Sequence, residues 1–426
     1  MKILLICNSI LPEIINKHDS VKGKPESWIS GHVAMISKWD NIEIIYTFPL
    51  NHKDKPIAGT IGKIRYYSYH EGSAFKYHDS TEKQFVKIFR KEKPDVIHVF
   101  GTEYPHSLAA VNAAEICGLT DYLVISLQGL TSIIGKYHYY ANLPQKTIHQ
   151  VTFRDFLKRD SIIKQRNGFI MRGKFETQAI EKAKHVIGRT EWDKACTRQI
   201  NTDINYHFCN ENLREIFYNN KWALDQCERH SIFVSQSGYP VKGFHLILEA
   251  MVIVLKRYPD AKLYTTGNSP VVQNSIYKKL RQSSYVKYLR DFIEQQDLTD
   301  CIHFCGFLDE KKMCDRYLNS HVFVSCSSIE NSSNSVGEAM SLGMPVISSH
   351  VGGLIDRILH GVEGYTYQYD APYMLAHYIM KVFEDDDKAV QLGLKAQEKS
   401  KQIDNVKENE RTVKQIYSII ISQNIL

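Results

Sequence analysis

The sequence has no unbroken apolar run of about 18 residues, the length a helix needs to cross a bilayer. No transmembrane helix is therefore expected. The first residues, MKILLICNSILPE, read as a short strand and a turn. They lack the longer apolar region and small-residue cleavage site of a secretory signal. No Gly-x-Gly-x-x-Gly follows that strand, which argues against a dinucleotide-dependent enzyme. The cysteines offer no metal knuckle. Nine are scattered through the chain, and Cys301 and Cys305 flank Ile302-His303-Phe304, which itself reads as a strand. Reduced cysteines of a cytosolic protein are the simpler reading. Internal repeats and low-complexity tracts are absent too.

What is present is a globular α/β pattern. Hydrophobic residues make up 43% and charged residues 23%, which excludes a disordered chain. A chain of 426 residues is too long for one ordinary domain. Strand-like runs recur at 2–7, 42–48, 63–69, 96–100, 122–128 and 186–189. A second set falls at 231–235, 262–266, 302–307, 322–325, 346–349 and 364–369. Helical stretches separate them, which argues for parallel sheets with right-handed crossovers. Two such sets predict two Rossmann-like domains, with the junction in the polar stretch 219–230. The segment 408–426 predicts an amphipathic helix with Val413, Ile416, Tyr417, Ile420 and Ile421 on one face. Net charge is +6, and the excess sits in residues 1–220, which hold 30 Lys+Arg against 23 Asp+Glu.

The most informative stretch is 322–356, VFVSCSSIENSSNSVGEAMSLGMPVISSHVGGLID. A buried strand ends in a polar loop. Asn334 or Ser335 can cap a short helix through Glu338, which Gly343 ends, and Pro345 opens the next strand. Two strand ends and a helix N-terminus thus lie close together. Open parallel sheets bind ligands at such a place, and the helix N-terminus offers free N–H groups to a diphosphate. Glu330 and Glu338 flank it, and an ionised carboxylate can accept two sugar hydroxyls. A pair of solvated surface glutamates is the bland alternative. Upstream, Lys242-Gly243 opens a helix at the start of the second strand set, well placed for a diphosphate.

The spacing from Glu330 to Glu338-Ala339-Met340, continued through Gly343, Pro345, Ser348 and Gly352-Gly353-Asp356, resembles the signature of retaining GT-B glycosyltransferases of family four. The resemblance implies two Rossmann-like domains facing a central cleft, with the last helix crossing back to the first. It divides the chain into an acceptor-side domain, 1–222 with 408–426, and a nucleotide-sugar domain, 223–407. It implies sugar transfer from a nucleotide diphosphate sugar to a glycan or lipid-linked acceptor, with retention, in surface polysaccharide assembly. Glu338 would bind the ribose, Asn334, Ser335 and the helix N-terminus the phosphates, and Glu330 the transferred sugar. Lys242 with Gly243 would stabilise the diphosphate, and Phe307-Leu308 after Gly306 would lie near the base. No metal, cofactor or nucleic acid is expected, and the acidic run 384–387 reads as solvated surface rather than a metal-binding Asp-x-Asp.

The chain also departs from the family pattern. Glu26-Ser27 replaces a Gly-Gly pair near the donor phosphate, and Phe100 stands where resembling chains often have histidine. Gln128-Gly129 replaces a His-Gly pair beside the donor sugar. Gln236 or Ser237 stands where the family has an arginine. His98 reads as a satisfied strand histidine. Glu103, His106, Arg189 and Thr190 are candidates for the cleft rim, with a structural ion pair as the other reading of Arg189. Residues 134–176 are basic and aromatic. They read either as a contact with a membrane, centred on 151–176, or as a helix packing Phe156, Leu157 and Ile163 on its domain. A cytoplasmic location, peripheral at the inner membrane face, goes with the first reading. The rival functions are a GT-B sugar-nucleotide epimerase and a non-catalytic nucleotide-sugar-binding subunit.

Overall fold

A computed structural model describes residues 1–18, 27–50, 54–271 and 279–422, without the side chains of residues 27 and 28. The chain forms two compact units, each built around one twisted sheet. Residues 1–133, 168–212 and 404–426 make the first, and 134–167 with 213–403 make the second. The excursion 134–167, which the sequence division leaves in the first domain, therefore groups with the second unit. The segment 404–426 groups with the first.

The first sheet has eight strands. In spatial order they are Ala58–Ile61, Ile64–His70, Glu43–Leu50, Lys2–Ile6, Val96–Phe100, Leu123–Ser126, His185–Gly188 and Asn205–Phe208. All neighbours are parallel except the first pair, a hairpin. Successive side chains of a strand face opposite sides of the sheet. Ile3 and Leu5 accordingly enter one core with Val413, Ile416, Tyr417 and Ile420 of helix Val406–Ser422. Leu4 and Ile6 enter the other, with Phe85, Phe89 and Ala110. A sheet buried on both faces needs apolar residues at nearly every position, which explains why these strands are legible as continuous apolar runs.

The second sheet has six parallel strands, in the order Ile302–Phe304, Lys262–Thr265, Glu228–Val234, Ser320–Ser325, Val346–Ser349 and Tyr365–Tyr367. After the first strand, where a turn was expected, the chain forms helix Pro12–Lys17. Glu26, part of the Gly-Gly replacement, lies outside the described residues. Ser27 begins helix Ser27–Ile36.

Candidate functional site

In the second unit, strand Ser320–Ser325 runs into a loop that ends at Ser333, and helix Asn334–Leu342 follows. Ser333, not Asn334 or Ser335, is the capping residue, and it makes no side-chain cap bond. Asn334 and Ser335 sit half-exposed in the first turn. Gly343 ends the helix at φ 77°, the left-handed geometry that glycine adopts without strain.

The loop is clamped from two sides. Ser328 N–H donates to Val241 O at 2.8 Å, and the Cys326 thiol donates to Lys242 O at 3.2 Å. Gly243 turns at φ 66°, and a Cβ there would lie 1.9 Å from Cys326 O. From the other side, Gly353 N–H donates to Glu330 O at 3.0 Å. Gly352 has φ 51°, and its Cβ would lie 2.0 Å from that same Glu330 oxygen. Two glycines separated by about a hundred positions therefore press the backbone of one loop into place.

That clamp joins two of the expected site residues. Lys242 Nζ donates to Glu330 Oε1 at 2.5 Å, and Ser327 Oγ donates to the same oxygen at 2.7 Å. Burial works against the ammonium, but Glu330 outweighs it and holds Lys242 well above its ordinary value. Lys242 itself closes a short 3-10 turn, and the helix begins at Phe244.

Glu338 does not lie open on the helix surface. It is buried, and Arg214 donates to its Oε1 from Nε at 2.9 Å and from Nη2 at 2.7 Å. Tyr317 OH reaches Oε2 at 3.3 Å. Burial pushes the carboxyl up to about 7, against the opposing pull of Arg214. A carboxylate has about four acceptor positions. Arg214 occupies Oε1, which leaves capacity on Oε2.

Gln236 and Ser237 line a separate cavity of about 290 Å³ with Tyr239, Thr266, Gly267 and Phe304. Lys242, Glu330 and Glu338 are not among its lining residues. Gly267 and Gly306 exchange backbone hydrogen bonds of 2.9 and 3.0 Å beside it. Phe307, next to Gly306, is 89% exposed, and Leu308 is half-buried.

The first unit assembles a second polar group. Strand Leu123–Ser126 leads to Gln128, whose amide donates to Glu211 Oε1. Arg189 pairs with Glu211 Oε2 at 3.1 Å and reaches Gln128 Oε1 at 3.4 Å. The ion-pair reading of Arg189 thus applies. Arg189 and Glu211 also line a small cavity of about 40 Å³ with His98, Ser126 and Asn210. Gly129 N–H donates to Glu103 Oε1 at 3.0 Å.

Two rim candidates are structural instead. Thr190 and Asp193 form the capping box of helix Glu191–Ile200. His106 is fully buried, with Nε2 on Phe100 O at 3.3 Å. His98 is satisfied as expected, by Tyr417 OH at 2.7 Å and Ser126 Oγ at 2.6 Å. Sequence reasoning missed Glu211, Arg214 and Tyr317. The first two lie in an aperiodic polar connection, where no spacing marks a partner.

Residues 217–399 match the family model described as "Glycosyl transferases group 1". The Lys242–Glu330 clamp, Glu338 and the cavity at Gly267 all fall within that span. The chain is 29% identical over 173 residues to the putative glycosyltransferase YtcC of Bacillus subtilis, an alignment covering 40% of each chain. It spans about two fifths of the length of the curated relatives it matches. Across 99% of the chain the fold is similar to sucrose-phosphate synthase from Thermosynechococcus elongatus, covering 100% of that chain at TM-score 0.71 and 15% identity. It is also similar to HepE from Anabaena in complex with UDP-glucose, at TM-score 0.66 and 16% identity, covering 98% of this chain and 100% of that one. At such identity the likeness is one of fold, and the fold is GT-B.

Proposed function

We propose that this chain is a retaining glycosyltransferase. It moves a sugar from a nucleotide diphosphate sugar to a glycan or lipid-linked acceptor, in assembly of a surface polysaccharide at the cytoplasmic side of a membrane. The observation that carries the reading is the Lys242–Glu330 pair, clamped by Gly243 and Gly352 at strand ends in the segment that matches the family model. Among the described residues no helix is long and apolar enough to cross a membrane.

On this reading the donor diphosphate takes the place of Glu330 at Lys242 and meets the free N–H groups of helix Asn334–Leu342. The released Glu330 then accepts hydroxyls of the transferred sugar. Charge builds on the leaving diphosphate as the glycosidic bond breaks, and a fixed ammonium aimed at it lowers the barrier. Glu338 takes the ribose through Oε2, while Arg214 keeps it oriented. Within the first unit Gln128 is held by Glu211 and Arg189, and its neutral amide cannot titrate near neutral pH. Lys242 and the helix N-terminus supply the positive field, so no metal is required.

The test is a thermal-shift screen with UDP-, GDP- and ADP-sugars, because a ligand that binds the native state raises Tm. It is followed by analysis of the anomeric configuration of the product. A stabilising donor and a retained linkage are expected. Conversion of the donor without an acceptor would indicate an epimerase. Binding without turnover, even with candidate acceptors, would indicate a binding subunit.

A further inference from the structure

The excursion 134–167 carries a helix built the wrong way round for a surface in water. In Phe153–Lys158 the buried residue is the acid, Asp155. The apolar residues Phe153, Phe156 and Leu157 are 60%, 73% and 64% exposed. Their spacing of three and four puts them on one helical face. Val151, just before the helix, is exposed as well.

This orientation is enforced by the second unit. Asp155 Oδ2 accepts from Ser284 N at 2.8 Å and Ser284 Oγ at 2.6 Å, and Thr152 Oγ1 donates to Gln282 O at 2.8 Å. Further back, His245 Nε2 meets Ala141 O at 2.7 Å, and Ser328 Oγ donates to His138 O at 2.9 Å. A buried, fully bonded carboxylate fixes the helix rotation, so the aromatic face cannot turn inward without leaving that charge unpaired.

The excursion carries a positive excess. Residues 134–167 contain seven Lys+Arg and two Asp. Asp155 and Asp160 are both engaged by Arg154. Lys146, Lys158 and Arg159 are exposed, with no ion-pair partner among the described residues.

We propose that this face docks on an anionic lipid surface, with Phe153, Phe156 and Leu157 entering the headgroup region and Lys158 and Arg159 meeting phosphate headgroups. Exposed aromatic and aliphatic side chains beside free cations suit such an interface, where apolar burial and attraction to anionic lipid add. A second copy of the chain is disfavoured, because two equally basic faces would repel. The surface is separate from the Lys242–Glu330 site, so the proposal does not rest on donor chemistry.

The test is co-sedimentation of the full chain with phosphatidylcholine vesicles, with and without phosphatidylglycerol, at low and high salt. Wild type is expected to pellet with the anionic vesicles only, and less at high salt. Both Phe156→Ser/Leu157→Ser and Lys158→Glu/Arg159→Glu should lower partitioning roughly tenfold or more, with Tm unchanged because the altered side chains are exposed. No pelleting of wild type, or equal pelleting of wild type and both variants, overturns the proposal. So does a dimer or protein complex, seen by light scattering, that the serine variant dissolves while vesicle binding is absent.

Discussion

At the residue scale, the two charges expected to act on the donor pair with each other. Lys242 and Glu330 are both largely buried, so on the proposed reading the pair exchanges partners when a diphosphate binds. Lys242→Ala should lower kcat about a hundredfold or more, the effect of deleting one fixed donor to developing charge. Lys242→Arg should lose less. Steady-state kinetics with the donor found by thermal shift gives the comparison. Inactivity of chelator-treated wild type, rescued by magnesium, would reassign the leaving-group role to a metal. Glu338 yields a pH prediction. Its carboxyl titrates at about 7 because burial outweighs Arg214. Between the ordinary glutamate range and about 7, the unfolded chain is charged here and the folded one is not. This group's contribution to stability is therefore fully present at low pH and is lost as pH rises through that window. On the proposed reading donor binding runs the other way, since the ionised carboxylate is the stronger acceptor for a ribose hydroxyl at Oε2. Calorimetric titration should find tighter donor binding at pH 8 than at pH 6 in wild type. In Glu338→Gln that difference should vanish, and a difference that persists would remove Glu338 from the ribose.

At the element scale, the site depends on how closely a loop can approach two turns. Gly352 holds a left-handed conformation and touches the Glu330 carbonyl, so an alanine there meets both a backbone penalty and a backbone clash. Gly361 also has φ 77°, but a Cβ there would meet nothing within 4 Å. Gly361→Ala should therefore cost only the conformational term, about 1–2 kcal/mol. Gly352→Ala should cost more and also displace Glu330. Denaturant melts and turnover, measured side by side, separate the two. Loss of activity is expected for Gly352→Ala and near-normal activity for Gly361→Ala. Equal stability losses with activity intact in both would mean that the loop can shift without consequence.

At the scale of the whole molecule, the second unit is not contiguous in sequence. His245, Gln282, Ser284 and Ser328 all find partners in 134–167. Buried polar groups that lose their partners cost roughly 1–3 kcal/mol each. A fragment comprising 213–403 alone should thus be poorly soluble or melt well below the intact chain. Restoring 134–167 through a linker should recover stability. Equal melting temperatures with and without the excursion would show that it contributes no stability to that unit.

Much of this was legible in the chain, for a physical reason. A sheet buried on both faces demands apolar runs, and tight turns demand glycine. Strands such as Val96–Phe100 and Ser320–Ser325, and the turns at Gly243, Gly343 and Gly352, are therefore written locally. The two strands that escaped notice, Ala58–Ile61 and Asn205–Phe208, are edge strands with exposed positions. Their side chains do not have to be apolar, so no run marks them. Partner choice was not local at all. Arg214 meets Glu338 across 124 positions and Lys242 meets Glu330 across 88, through crossovers that no spacing encodes. The inversion of helix Phe153–Lys158 is of the same kind. Its amphipathic pattern specifies two faces, and only the Asp155–Ser284 contact, made across 129 positions, decides which of them turns inward.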